Sequence, residues 1–379
     1  MNPTSSMSLE ELLSSFRGIR TVALCAHVNP DGDALGSSLA LAELLRAYGC
    51  EATCLLAQNQ PAPALYDFLE GYEFTSASVY TAAPDLFIAL DTPTLSRLGD
   101  GVAVFERSAK TICIDHHPDY SGFAGAYYGN HEAAATSSLI WSIIKGSGLD
   151  ITQGMANCCY VGLMTDTGCF SFQNTNERAF RDAAEMVACG VDPSRMSMNV
   201  YESKSTGALK LESRLIERLR FSPDNAIVYS WVDEHDLCEF DINRDDTEGL
   251  PTLLRSIAGA QVAMLLRVEK GGVRANLRSR GSCDVGELAR RFGGGGHQAA
   301  AGVTLNESLD DAIAILLDGL GKLDSFKKCC AAPAVSGVVS SAASPVASPM
   351  DSPAAAGSSG VASPAASPVA SPVASPTDS

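Results

Sequence analysis

Short apolar runs and longer amphipathic stretches alternate along the first half of the chain. Runs of mostly apolar or β-favouring residues fall at 21–26, 52–56, 86–90 and 111–114. They lack the apolar–polar alternation of a half-exposed strand, which predicts strands covered on both faces. Helical spacing occurs at 34–48, 135–144, 155–163 and 176–188, and Gly49 stands where a helix would end on a left-handed residue. Strands that alternate with helices predict a parallel sheet. A second block opens near Phe221, with strand-like segments at 226–232, 261–268 and 273–278 and a Gly271-Gly272 pair suited to a hairpin turn. A helical stretch at 309–317 closes it, and the 209–219 segment reads as a helical connector. The expected architecture is α/β: a parallel-sheet domain over 1–200, a connector over 201–222 and a smaller C-terminal α/β domain over 223–328.

Composition changes this picture at one end. From 331 to 379 the chain is almost entirely Ala, Ser, Pro, Gly and Val, with Asp351 and Asp378 its only charges. Such a segment buries too little apolar surface to order itself, so 329–379 is expected to be a disordered tail.

Charge narrows the partners. A formal charge of -17 over 379 residues argues against a grip on long nucleic acid, because Lys and Arg contacts to phosphate supply most non-specific affinity. A short phosphorylated ligand remains admissible where metal ions bring local positive charge. The 12 cysteines show no C-x-x-C or zinc-finger spacing, and several, Cys25 and Cys113 among them, lie inside apolar runs. That usage fits a reducing compartment, and a cytoplasmic location is expected. No leader-like run occurs in 1–20 and no apolar stretch reaches membrane-spanning length, so no membrane partner is expected.

The candidate chemistry lies directly after the apolar runs. Open α/β sheets collect ligands at the carboxyl ends of their strands, and His27, Asp91 and Asp115 follow three of the runs. His27, Asp31 and Asp33 share one loop, which Pro30 and Gly32 bend so that the three can converge. The plainer alternative is that the two Asp cap the next helix. At Asp91, a carboxylate ending a buried strand is costly unless it is paired, capping or metal-bound. In Asp115-His116-His117 neighbouring side chains diverge, so one imidazole can ligate a metal while the other faces substrate or supports the ligands. Asp166, within Thr-Asp-Thr-Gly, would by itself read as a cap or turn. Together His27, Asp31, Asp33, Asp91, His116 and Asp166 offer enough ligands for two divalent ions, and the mixed nitrogen–oxygen set suits Mn²⁺ better than Mg²⁺ alone. Two such ions, about 3.5–4 Å apart, acidify water and neutralise phosphoryl oxygens during in-line attack.

A further group lies in the second block: Arg267, then Asn276-Leu277-Arg278-Ser279, then a glycine run ending at His297. Arg278 offers a planar fork to phosphate oxygens, and glycine amides permit close approach. The plainer alternative is a flexible loop. No Lys-Ser/Thr follows, so it is not a Walker loop. His131 and His235 have no such company and read as ordinary surface or packing residues. Arg97 is a candidate support for the Asp91 loop.

Read in order, H-x-N-P-D-G-D-A-x-G-S at 27–37, L-D-T at 90–92, D-H-H at 115–117, T-D-T-G at 165–168 and G-G-G-G-H at 293–297 resemble the DHH/DHHA1 phosphoesterase family, over nearly all of 10–325. The two-domain layout is similar to the branch of bifunctional oligoribonucleases and phosphatases of 3′-phosphoadenosine-5′-phosphate (pAp), and to phosphodiesterases of the linear dinucleotide pApA and cyclic di-AMP. The resemblance implies a DHH domain followed by a DHHA1 domain, and two Mn²⁺, with Mg²⁺ or Co²⁺ as substitutes. It implies that His27 and Asp31 bind one ion, that Asp33, His116 and Asp166 bind the other, and that Asp91 bridges them. Asp115 and His117 would be the catalytic pair, supporting the ligands or facing substrate. Arg278, Ser279, Gly294, Gly295, Gly296 and His297 would hold the substrate's terminal phosphate and base. The implied partners are small nucleotides and short single-stranded RNA, with no long duplex, and a second copy of the chain in a homodimer.

Other readings fit less of the chain. A family II-type inorganic pyrophosphatase shares the first domain but carries a Ser-Arg-Lys signature where this chain has its glycine–His loop. An exonuclease on long single-stranded DNA would need basic modules that a short acidic chain lacks. A non-catalytic nucleotide sensor would be expected to have lost ligands, and all six are present.

Overall fold

Six strands form the first sheet: β1 (Thr21–Cys25), β2 (Glu51–Leu56), β3 (Thr75–Ser76), β4 (Leu86–Leu90), β5 (Lys110–Asp115) and β6 (Ala126–Gly129). The computed structural model describes residues 6–331, apart from 243–246, 248 and 297. All neighbours run parallel, in the order β3-β2-β1-β4-β5-β6. In β4 every residue is buried, with Leu86, Ile88 and Leu90 in one core and Phe87 and Ala89 in another. Period-2 alternation into two cores is why the run is apolar throughout. The larger core takes helices Gly32–Ala47, Thr136–Gly146 and Gln153–Asp166, and the opposite face is covered in part by helix Gly101–Arg107.

Helix Gly32–Ala47 is buried on nearly every side, between the sheet and helix Gln153–Asp166. The two helices approach through glycine. A Cβ on Gly36 would lie 2.3 Å from the Cys158 carbonyl oxygen, and one on Gly162 would lie 2.7 Å from Asp33 Oδ1. Nothing larger admits backbones at that separation.

Strand order decides where a ligand can sit. From β1 the chain builds outward to β2 and β3, then crosses back to β4 and continues to β6. Loops leaving β1 and β4 therefore turn away from each other and open a crevice at the carboxyl edge.

The second sheet comprises β7 (Arg220–Phe221), β8 (Ile227–Val232), β9 (Val262–Glu269), β10 (Gly272–Ser279), β11 (Gly295–Gly296) and β12 (Ala300–Leu305), in the order β11-β12-β10-β9-β8-β7. Only β8 and β9 pair in parallel. Along β10, Val273, Ala275, Leu277 and Ser279 are buried, while Arg274, Asn276 and Arg278 alternate onto the other face. Helices Val285–Arg291 and Leu309–Lys322 cover the apolar face. Helix Thr206–Glu217, in the segment expected as a connector, sends Leu211 and Leu215 into a core with Val228 and Leu265. The hairpin turn is Lys270-Gly271 rather than Gly271-Gly272, since Gly272 already pairs with Glu269. A Cβ on Gly272 would lie 2.2 Å from the Leu305 carbonyl oxygen, which explains the second glycine. The last helix, Asp324–Ala331, runs past the expected boundary at Lys328 and buries Cys329. Residues 332–379, assigned above to the tail, lie outside the described residues.

Candidate active site

The crevice between β1 and β4 gathers the sequence-predicted cluster. After β1, the His27 Nδ1–H donates to the Val28 carbonyl at 2.8 Å. A carbonyl only accepts, so Nδ1 carries the proton and Nε2 faces inward with its lone pair. His27 Nε2 lies 3.3 Å from Asp91 Oδ2 and 4.0 Å from Asp31 Oδ1. Asp31 does cap helix Gly32–Ala47, its Oδ1 accepting from the amides of Asp33 and Ala34 at 3.1 Å each. Capping and the cluster are therefore compatible, because the cap fixes where the carboxylate points.

Asp33 caps a different helix from the one expected. Its Oδ2 accepts from the Thr136 amide at 2.7 Å and its Oδ1 from the Ser137 amide at 2.9 Å. Helix Thr136–Gly146 begins after Ala135, which has no side-chain acceptor, so the buried Asp33 supplies it from 103 residues away. A carboxylate at a helix N-terminus is favoured by both the open amides and the dipole.

Asp91 sits at the centre. Its backbone is left-handed, with φ +52, a conformation that costs a non-glycine residue about 1 kcal/mol and that Asp tolerates better than most. While Oδ2 faces His27, Oδ1 lies 3.5 Å from His116 Nε2 and accepts from Thr136 Oγ1 at 2.9 Å. His116 repeats the His27 arrangement, its Nδ1 donating to the Ala133 carbonyl at 3.2 Å and its Nε2 lying 3.8 Å from Asp166 Oδ2. Asp166 is the last residue of its helix, and Asn174 Nδ2 donates to its Oδ2 at 3.2 Å. His117 points its Nδ1 at Asp115 Oδ1, 2.7 Å away, and among the described residues the fully buried Asp115 has no hydrogen-bond partner for Oδ2.

Crowding shifts these groups strongly. Burial, with the Asp91 charge second, pushes the Asp33 carboxyl up to about 7. Burial also drives Asp166 well above the usual carboxylate range, against the pull of His116 and with Asp33, Asp91 and Asp31 adding to the rise. Asp91 moves the other way: burial would raise it, but the His27 hydrogen bond and the imidazoles of His117, His27 and His116 hold it well below. Burial opposes the His116 cation, yet Asp166, Asp91 and Asp33 outweigh it and raise the imidazole to about 9. Such crowding of carboxylates is what divalent cations relieve at carboxylate–imidazole sites.

The donor set fits such ions. Ligand atoms of His27, Asp31 and Asp91 lie within 4.8 Å of one another, as do those of Asp91, His116 and His117 and those of Asp33, His116 and Asp166. Asp233, His235 and Asp236 also converge, but Arg214 and Arg218 already hold Asp236 at 2.9 and 2.5 Å and Asp233 caps a helix.

Residues expected to meet substrate occupy the second sheet. Arg278 is half-buried on the arginine-bearing face of β10. Ser279 is fully buried, its hydroxyl donating to the Gln298 carbonyl at 3.4 Å. Gly294, Gly295 and Gly296 do not form a free loop: the last two pair with Gly302 and Ala301 of β12. A Cβ on Gly294 would lie 2.2 Å from the Gly302 carbonyl oxygen, and Gly296 has φ +133, so backbone contact alone demands glycine at both. His297 lies outside the described residues.

Sequence reasoning missed the residues that hold the cluster in place. Thr136 and Ser137 bind Asp33, Thr136 also binds Asp91, and Asn174 binds Asp166. Their only signals were a Thr-Ser-Ser string at a helix start and an Asn in a polar loop, which many capped helices share. Gly36 and Gly162, glycines inside helical patterns, were stronger hints of a close approach.

The model of the DHH family, N-terminal domain, matches residues 21–163, and that of the DHHA1 domain matches 224–322. The bifunctional oligoribonuclease and PAP phosphatase NrnA of Thermus thermophilus is 31% identical over 312 residues, covering 82% of this chain and 91% of its own. The Bacillus subtilis protein of the same name is 29% identical over 311 residues, or 81% and 96% of the two chains. The crystal structure of an exopolyphosphatase-related protein from Bacteroides fragilis superposes with a TM-score of 0.77 at 25% identity, covering 85% of this chain and 97% of that one.

Proposed function

This chain belongs to the DHH/DHHA1 family, hydrolases of phosphoester bonds, and we propose that it degrades short oligoribonucleotides to mononucleotides and converts pAp to AMP at a two-metal centre. The observation that carries the reading is Asp91, whose two carboxylate oxygens face two separate ligand groups, Oδ2 toward His27 and Oδ1 toward His116. We assign one ion to His27 and Asp31, the other to Asp33, His116 and Asp166, and the bridge to Asp91. Manganese is favoured because imidazole nitrogen and carboxylate oxygen are mixed in both sets, with Mg²⁺ or Co²⁺ as substitutes. When bound, the ions supply Lewis acidity that neutralises phosphoryl oxygens and acidifies water.

The protein's own groups do the rest. Asp33 and Thr136 tie the ligands to a helix start, so the carboxylates keep their aim as charge changes. His117, with Nδ1 held by Asp115, is assigned proton transfer at the reacting phosphoryl group. Arg278 and the Gly294–His297 segment of the second sheet are assigned the substrate's terminal phosphate and base. We divide the chain into a catalytic domain over 1–200 and a substrate domain over 223–328, joined through 201–222. No helix among the described residues is long and apolar enough to cross a membrane. All 12 cysteines are unpaired and most are buried, which supports placement in the reducing cytoplasm.

The test is a chromatographic assay with Mn²⁺ on pAp, a short RNA, pApA, cyclic di-AMP and pyrophosphate, with Asp33→Ala as the blank. Mononucleotide from RNA or pApA, or AMP from pAp, is expected. Hydrolysis of pyrophosphate alone would reassign the chain to a pyrophosphatase, and silence on all five with both metals bound would favour a sensor.

A further inference from the structure

The loop after Asp166 reaches residues beside the second sheet. Gly168, Cys169 and Phe170 all have left-handed backbone, with φ +55, +55 and +61, and the next residues, Phe172, Gln173 and Asn174, reach in two directions. Asn174 Nδ2 donates to the Asp166 carbonyl at 3.1 Å, to its carboxylate at 3.2 Å and to the Ala134 carbonyl at 2.9 Å. Its neighbours face the second sheet: Gln173 Nε2 donates to the Gly281 carbonyl at 3.2 Å, and the Phe172 ring centre lies 4.8 Å from Arg255 Cζ. Phe172 is itself pinned. Its amide donates to the Thr167 carbonyl at 2.9 Å, and its ring occupies the space that a Cβ on Gly168 would need, 2.2 Å away.

Arg255 ends helix Leu250–Arg255 and donates from Nε to the Ser279 carbonyl at 3.0 Å, one residue from Arg278. Burial, and repulsion from Arg280 second, disfavour its charge, and among the described residues no carboxylate pairs with it. Arg214 and Arg218 are the contrast, since both are paired with Asp236. A guanidinium without an ion pair, laid on an aromatic ring from the loop after Asp166, makes a contact sensitive to the distance between them.

We propose that Arg255 is a positioning residue of the phosphoesterase reaction: stacked on Phe172 and bonded to Ser279, it sets the spacing between the Asp166 end of the metal cluster and the Arg278 strand. The proposal rests on the function given above, in which those two ends hold the reacting and the terminal phosphate. A substrate that needs only the metal cluster is indifferent to Arg255, and a nucleotide that spans both ends is not.

The experiment compares wild type, Arg255→Ala, Phe172→Ala, the double variant and Phe172→Tyr, with Mn²⁺, on pAp, a short RNA and bis(p-nitrophenyl) phosphate. Each alanine variant is expected to lower kcat/KM for the nucleotides about tenfold, mainly through KM, which is the scale of a desolvated cation–π contact. The double variant should be no worse than either single one, Phe172→Tyr should stay near wild type, and metal content and aryl ester hydrolysis should hold. Additive losses, equal losses on the aryl ester, or unchanged nucleotide kinetics would overturn the proposal. Failure of wild type on every nucleotide would instead sink the substrate assignment. In that case hydrogen exchange across 167–174 still decides: faster exchange in Arg255→Ala supports the latch, and unchanged exchange overturns it.

Discussion

The carboxyl edge of the first sheet and the arginine face of the second represent two ways of presenting polar side chains to a ligand. The first packs five carboxylates and three imidazoles into one crevice, with Asp91, Asp115 and Asp33 at 3%, 0% and 1% exposure. Its side chains come from strand and helix ends, and they are held by backbone amides and carbonyls, by the Thr136 hydroxyl and, at Asp166, by the Asn174 side-chain amide. The second presents Arg274, Asn276 and Arg278 from a regular strand, where alternation alone sets them on one face. A dense cluster fixes geometry at the cost of strained and shifted groups, whereas a strand face adapts to ligands of different length. Damage to the first should therefore end the reaction, and damage to the second should weaken binding.

The sharpest break of that contrast is Asp91→Ala. Losing the carboxylate that faces both ligand groups should reduce turnover roughly a thousandfold or more and lower metal stoichiometry, since metal charge stabilisation is worth several kcal/mol. Near-normal rates, or two ions still bound, would remove Asp91 from the centre. Gly162→Ala comes next. Its new Cβ would press on Asp33 Oδ1 and on Ser137 at 2.7 Å, so stability should fall by about 1–3 kcal/mol in denaturant titration, with weaker metal binding. A variant as stable as wild type would show that the helix pair has slack.

Arg278→Ala tests the other region. KM for pAp should rise about tenfold, the size of one charge-assisted hydrogen bond, with metal content unchanged. Equal loss of metal would put Arg278 in the first region instead. The smallest effect is the pH response of metal-stripped protein. Asp33, raised from 3.8 to about 7, and His116, raised from 6.5 to about 9, both hold protons more tightly when folded. Their contributions fade as pH rises through those windows, so Tm should fall between about pH 5 and 9. Mn²⁺ should flatten or reverse the slope, because it binds the deprotonated ligands. A flat profile without metal would mean that the cluster relaxes when empty.

The amino-acid sequence by itself determined β1, β2, β4, β5, β8, β9 and β10 and the six longest described helices, because long apolar runs bounded by glycine and polar residues leave few alternatives. The shorter helices and β3, β6, β7, β11 and β12 carry no such signal. It also placed His27, Asp91 and Asp115 directly after strands, where an α/β sheet binds ligands. It could not show that Asp33 caps a helix 103 residues away, that Asp91 turns one oxygen to each imidazole, or that Ser279 faces inward. Nor could it distinguish a free glycine loop from Gly295 and Gly296 paired to β12, or see Arg255 resting on Phe172. Local pattern records what a residue needs from its neighbours in the chain. Which carboxylate meets which amide, and which guanidinium meets which ring, is fixed only when strand order and helix packing bring distant segments within hydrogen-bonding reach.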